Sequence, residues 1–255
     1  MRHYHGTPMG GKRSDVARFA MGRHFLIPFG RQEDLPTIAE AAVGFCFDNG
    51  AFSAWRAGHP IKDWQPYYKW CREWCRHPGF DFAVIPDVID GTEKDNDALL
   101  KEWERWAWHP WQVQGVPVWH LHESFDRLRR LAVSSRWSKI AFGSSGEYAT
   151  PSSDKWWDRI SEAMGVVTDS DGVPYTKLHG LRMMDPNIFT RFPFASVDST
   201  NVAQNKGGSR MYSAPHSAAL AELIASRIEA HNSAATWARN GVQQVFQLKT
   251  EGCDD

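Results

Sequence analysis

Gly44-Phe45-Cys46-Phe47-Asp48 is a short run with almost no polar surface that stops at a carboxylate and a turn, Asn49-Gly50. A strand that does not alternate apolar with polar residues is covered on both faces, which is the signature of a parallel sheet. Similar runs lie at residues 24–29, 82–86, 116–121, 139–143, 177–181 and 194–197, with a more polar first member at 2–6. Between them, residues 61–76, 93–108, 124–134 and 153–164 have helix length and mixed charge, with Asp63, Ser124 and Ser153 as N-cap candidates. The connections after the second and seventh strands leave room for only short or degenerate helices. Eight strands alternating with helices predict an α/β fold, a single (β/α)8 TIM-type barrel.

Residues 214–240, with Leu220, Leu223, Ile224 and Ile228 near helical spacing, predict a long C-terminal helix, and 241–255 a polar tail. No repeat or linker interrupts the chain, so one domain is expected over 1–255, its core about 1–240. The 255 residues are 42% hydrophobic and 23% charged, which excludes disordered and collagen-like classes. No apolar run is long enough to span a membrane, and the opening Met1–Gly6 lacks the apolar stretch of a secretory leader. A cytoplasmic location is therefore expected. Cys46, Cys71, Cys75 and Cys253 are too irregularly spaced for a disulfide framework. Cys71 and Cys75, near His77, read as packed thiols rather than a zinc site.

The chain carries 29 basic and 30 acidic residues, but residues 1–31 hold Arg2, Lys12, Arg13, Arg18, Arg23 and Arg31 against Asp15 alone. Such a local excess is either a solvated face or a set of phosphate contacts. Lys12, Arg13, Arg182, Lys206 and Arg210 are the candidates for the latter. Among the 13 tryptophans and 14 phenylalanines, Phe52, Trp55 and Trp119 fall near strand ends, where a ring can either stack on a base or belong to the core.

In a barrel of this kind, reactive groups gather at the C-terminal ends of the strands. Asp48, Asp87, His120, His122, Ser144–Glu147, His179 and Asp198 all fall there. Aspartates at strand ends often cap helices, but three from separated strands can also meet around one glycosidic bond. One would then attack the anomeric carbon, another move protons, and a third accept hydrogen bonds from a purine edge. Gly143-Ser144-Ser145-Gly146 offers small backbone for a flat ring to approach.

Five segments resemble the tRNA-guanine (queuine/archaeosine) transglycosylase superfamily, in register over about residues 44–201. Asp48-Asn49-Gly50-Ala51-Phe52 is similar to its Asp-Ser-Gly-Gly-Phe-Gln motif and Pro86-Asp87 to its base-recognising aspartate. Gly143-Ser144-Ser145-Gly146-Glu147 resembles its Gly-Glu loop, Leu178-His179-Gly180 its Leu-Met-Gly turn, and Ser196-Val197-Asp198-Ser199 its nucleophile strand. The opening Tyr4-His5-Gly6-Thr7-Pro8 and Val197-Asp198-Ser199-Thr200 look most like the short phage-type DNA 7-deazaguanine transglycosylases. The Cys-x-Cys-x-x-Cys zinc motif of the tRNA enzymes has no counterpart here.

The resemblance implies a pentosyltransferase that flips guanosine out of DNA and expels guanine by attack of Asp198 on C1′. A free 7-deazaguanine base such as preQ0 then enters. Asp48 would hold the base and move protons, and Asp87 would read the guanine N1/N2 edge. His120, in place of a glutamine, His179, in place of a methionine, and Phe52, Gly143, Ser144, Gly146, Glu147 and Gly180 complete the implied base site. The implied partners are DNA (tRNA less so) and the free base, with no membrane partner, no cofactor and no metal; a phage-encoded enzyme would act in the host cytoplasm. One rival is a metal-dependent hydrolase of the amidohydrolase barrel class, in which His3-x-His5, His120, His179 and Asp198 would ligate metal. Another is a non-catalytic nucleic-acid-binding relative.

Overall fold

The structure, a computed structural model, describes residues 1–107, 113–205 and 217–238. Nine parallel strands run in chain order as β1 (Arg2–Gly6), β2 (His24–Pro28), β3 (Gly44–Asp48), β4 (Phe80–Val84), β5 (Gly115–Val116), β6 (Val118–His120), β7 (Lys139–Gly143), β8 (Lys177–Gly180) and β9 (Phe194–Ser199). Their lateral order, β5-β4-β3-β2-β1-β9-β8-β7-β6, is a barrel opened at one seam. That seam lies within the single run read at 116–121. Pro117 has no N–H to give to a ladder, so the run divides into β5 on β4 and β6 on β7. The Pro117 carbonyl still accepts from Ala141 N at 2.8 Å. The expected eight-stranded α/β barrel is therefore present, with one of its strands broken at a proline.

Helices α1 (Arg13–Ala20), α2 (Leu35–Ala41), α3 (Ala51–Arg56), α4 (Gln65–Trp74), α5 (Glu93–Ala107), α6 (Phe125–Ala132), α7 (Asp154–Val167), α8 (Pro186–Phe189), α9 (Asn201–Asn205) and α10 (Ser217–Glu229) surround the strands. Ser124 caps α6, its Oγ accepting from Arg127 N at 3.2 Å. Asp63 accepts from Gln65 N at 3.0 Å from one position before the cap, which Trp64 occupies. Ser153 stands at the cap of α7, but its hydroxyl donates to the Thr150 carbonyl instead. Thr92 and Asp95 exchange backbone and side-chain bonds at the start of α5, a capping box visible in Thr92-x-x-Asp95. The helices after β2 and β8 are two turns and one turn long, as their short connections required.

The C-terminal helix is shorter than expected. Within the described residues α10 ends at Glu229, and the chain closes on a tight turn in which His231 N donates to the Ile228 carbonyl. Asn232 and Ser233, whose side chains compete for backbone bonds, follow at once. Its buried face is Ala221, Ala225 and Ile228, whereas Leu223 is exposed. Residues 214–216, 239–240 and the tail at 241–255 lie outside the described residues.

Alternation along each strand sorts the side chains into two cores. Tyr4, Leu26, Cys46, Phe82, Val84, Val116, Val118 and Ala141 fill the barrel. Phe25, Phe45, Phe47, Trp119, Phe142 and many others pack between strands and helices. This sorting fixes which strand-end residues face the cavity described next.

Candidate active site

Asp48 ends β3 on the inward phase of the pleat, two residues after Cys46. Asp87 follows β4 by three residues, His120 ends β6, Gly143 ends β7, and Asp198 is the penultimate residue of β9. All five line one cavity of about 410 Å³ at the C-terminal mouth of the barrel. Phe52, Ser144, Ser145, Arg182, Ser199, Thr200 and Gln204 complete much of its wall. A volume of this size lies within the about 300–1,000 Å³ usual for small-molecule sites.

The three aspartates are held differently. Asp87 is buried; its Oδ1 accepts from Asn49 Nδ2 at 2.6 Å and its Oδ2 lies 2.8 Å from His120 Nε2. Asn49 also donates to the Ile85 carbonyl at 2.9 Å, so it laces the end of β3 to the end of β4. Gly50, at φ 77°, makes the turn that follows, and a Cβ there would sit 3.1 Å from the Phe29 carbonyl oxygen. Asp198 Oδ2 lies 3.0 Å from His179 Nε2, and Oδ1 accepts from Arg182 N at 3.2 Å. That amide is aimed by a left-handed backbone, since Arg182 has φ 59°.

Asp48 is the electrostatic outlier. Burial, and then the charges of Asp198 and Asp87, push its carboxyl up from the usual 3.8 to about 7. Part of the side chain opens onto the cavity, so this is the burial of a cleft wall rather than of a dry core. A carboxylic acid that titrates near neutrality beside two further carboxylates is suited to giving and taking a proton.

Arg182 crosses the mouth. Its guanidinium lies 3.9 Å over the Phe52 ring, and Nη2 donates to the Ser144 carbonyl at 2.6 Å. Burial pulls the Arg182 guanidinium below its ordinary range, and Asp198 and Asp48 act against that pull. Gly143 leaves room for His120, since a Cβ there would approach its Nδ1 to 3.1 Å.

Other candidates from the sequence lie off the cavity wall. His179 is buried inside the barrel beneath Asp198, its Nδ1 2.8 Å from Ser196 Oγ, so it supports the carboxylate rather than meeting a ligand. Gly180 packs under Met183, whose Cβ would be 2.9 Å from a Cβ at that position. Gly146 opens a single 3-10 turn, Gly146–Tyr148, within which Glu147 points to solvent and pairs with Lys155 at 3.1 Å. Trp119 faces the outer core, and Trp55 is partly exposed against Phe52.

The basic excess of residues 1–31 is largely met by acids from elsewhere. Arg2 pairs with Asp81, Arg13 with Glu40, Arg31 with Glu33, and Arg23 with both Glu222 and Glu229. Lys12 stands exposed at the cap of α1. Neither Lys12 nor Arg13 borders the cavity; Arg182 does; Lys206 and Arg210 lie outside the described residues. Arg56 and Gln204, which no motif marked, also reach the wall from short helices with no periodic signal, and Thr200, quoted above only within the resemblance at the last strand, joins them.

His3 and His5 alternate onto the outer face of β1. His3 packs edge-on against Phe189, and His5 Nε2 lies 2.8 Å from Glu229 Oε1. Burial acts to raise Glu229, but hydrogen bonds from His5 and Arg23 outweigh it and hold the carboxyl at about 2. The His-x-His pair expected of a metal-dependent hydrolase therefore faces away from the cavity. Among the described residues no group of three His, Cys, Asp or Glu side chains is gathered as a metal site, Cys46, Cys71 and Cys75 are free thiols, and no helix is long and apolar enough to cross a membrane.

No family model matches the sequence, and a search of curated proteins returns no match.

Proposed function

We propose that the protein is a pentosyltransferase that exchanges guanine in DNA for a 7-deazaguanine base such as preQ0, through a covalent aspartyl-deoxyribosyl intermediate. The observation that carries this reading is the meeting of Asp48, Asp87 and Asp198, from three separate strands, on one cavity. In this mechanism a guanosine flipped from the stack enters under Phe52 and Arg182. Asp198, oriented by His179 and the Arg182 amide, attacks C1′ and expels guanine. The deazapurine enters the vacated base site and its N9 attacks C1′ in turn. Two displacements retain the anomeric configuration.

Asp48 supplies and recovers the proton that base departure and entry require. Asp87, held by Asn49 and His120, presents acceptor lone pairs to the N1–H and N2–H of guanine, donors that adenine lacks on that edge. Arg182 and Arg56 stand at the rim where phosphates flanking the flipped nucleotide would lie. The scheme exchanges one glycosidic bond for a similar one and calls on no cofactor.

The test is incubation of the protein with DNA, or separately with tRNA, and isotopically labelled preQ0, followed by mass spectrometry of the nucleosides. Label in deoxyribonucleosides is the expected result. Label only in tRNA would make tRNA the substrate, and label in neither polymer would refute the reading.

A further inference from the structure

Ser145 is held between two imidazoles. Its Oγ lies 3.3 Å from His120 Nδ1 and 2.8 Å from His122 Nδ1. The other nitrogen of His120 lies 2.8 Å from Asp87 Oδ2. Asp87, His120 and Ser145 are buried, whereas His122 is exposed and its ring stacks on His120 at 5.6 Å between centroids. The contacts form an unbroken chain from a cavity carboxylate to solvent.

A hydroxyl carries one hydrogen and a neutral imidazole carries one N–H, so the chain has a direction. With Asp87 ionised, His120 donates from Nε2, its Nδ1 accepts the Ser145 hydroxyl proton, and Ser145 Oγ accepts from His122 Nδ1. In the opposite sense Asp87 donates to His120 Nε2, His120 Nδ1 donates to Ser145, and Ser145 donates to His122 Nδ1. Both arrangements use the same heavy-atom positions and, with His122 an imidazolium in the first and a neutral imidazole in the second, the same number of protons.

Moving between them starts from a His122 imidazolium. Its Nδ1 proton passes to Ser145 Oγ, the Ser145 proton passes to His120 Nδ1, and the His120 Nε2 proton passes to Asp87 Oδ2. His122 is left as a neutral imidazole and Asp87 as a neutral acid.

We propose that Asp87, His120, Ser145 and His122 form a proton relay, through which the cavity carboxylate exchanges one proton with solvent while a bound base fills the cavity. The surroundings suit that task. Burial and His120 pull His122 below its ordinary range, while Glu123, the Gly91 backbone and Glu93 oppose them, so the ring gives its proton up readily. Asp87 faces Asn49 and the charge of Asp48 on its other side.

The use of the relay rests on the base-exchange reading. Until Asp48 protonates it, a purine that departs with the C1′–N9 electron pair is an anion, and beside an ionised Asp87 it makes a like-charge pair in a low-dielectric pocket. A proton shifted inward neutralises Asp87 as the base leaves and flows back as the incoming base bonds to C1′. Ser145 and His122 act through Asp87 and are positioning residues.

The test uses the full chain with 15N-labelled histidine, with ring nitrogens followed by NMR across pH 5–9. The expected result is a shared midpoint for His120 and His122, lost in Ser145→Ala and restored in Ser145→Thr. Independent titration in the parent, or an unchanged His120 response in Ser145→Ala, would overturn the relay. In base exchange, Ser145→Ala should lower kcat by roughly tenfold or more with little change in KM, and turn a curved proton inventory linear. If the histidines titrate together but no base is exchanged, the functional reading fails and the relay stands. If base is exchanged and the histidines titrate independently, the relay fails and the functional reading stands.

Discussion

Replacing Asp48 with asparagine should make the protein more stable at pH 8 while abolishing the proposed base exchange. The Asp48 carboxyl is raised from 3.8 to about 7 by burial and by the charges of Asp198 and Asp87. The folded state thus binds this proton more tightly than the unfolded state. Below about pH 4 the group is protonated in both states and costs nothing. Between pH 4 and 7 the unfolded chain ionises first and the fold loses stability; above 7 the loss is complete.

At about 1.36 kcal/mol per pH unit the ceiling is about 4 kcal/mol. Water in the cavity screens part of it, so about 1–3 kcal/mol is expected at pH 8. For a chain of this size that is about 2–4 °C in Tm for each kcal/mol. Urea unfolding of parent and Asp48→Asn at pH 4, 6 and 8 measures it. The expected result is a gap near zero at pH 4 that opens in favour of the variant by pH 8. A gap that does not vary with pH, or a variant less stable at pH 8, would refute the electrostatic argument.

Three further outcomes follow from the geometry. Glu123 and Arg127 form a fully buried pair at 2.6 Å, and Glu123 also accepts from His120 N and Asn96 Nδ2; Glu123→Ala should cost roughly 3–5 kcal/mol in denaturant unfolding. Gly50→Ala forces a left-handed Cβ against the Phe29 carbonyl and should cost roughly 1–2 kcal/mol, with unchanged stability excluding that close approach. If Arg56 contacts a phosphate, Arg56→Ala should weaken DNA binding across sequences and reduce the salt slope by about one; an unchanged slope in a fluorescence-anisotropy titration would remove it from the interface.

The barrel was legible because strands covered on both faces are apolar runs, and Gly44–Asp48 and Lys139–Gly143 fall where they were read. At β4 the read run began two residues late, because Asp81 interrupts it. That carboxylate points to the barrel floor, where Arg2 and Tyr4 donate to it at 2.7 and 2.8 Å, a partnership no local pattern reveals. The strand break at Pro117 was visible in principle, since proline withholds a ladder donor. The pairing of the basic N-terminal run was not legible because its acidic partners are as far away as Glu222 and Glu229.

At the candidate site, the aspartates were legible because a carboxylate at the end of an apolar strand can only face the mouth or the helices. The role of His179 was not, because which nitrogen meets Asp198 depends on the pairing of β8 with β9. The chain through Ser145 depends in the same way on contacts between separate strand ends. Arg56 carries no signal beyond its charge.

In the proposed base exchange, Asp198 becomes bonded to a sugar carbon. DNA containing guanine, incubated with the protein and quenched in acid, should yield a peptide spanning residues 194–199 that carries a deoxyribosyl-linked fragment on Asp198 by mass spectrometry. Asp198→Asn should give none, and free 7-deazaguanine should discharge the adduct in the parent. An adduct on a different residue, or base exchange that proceeds undiminished in Asp198→Asn, would rule out Asp198 as the nucleophile.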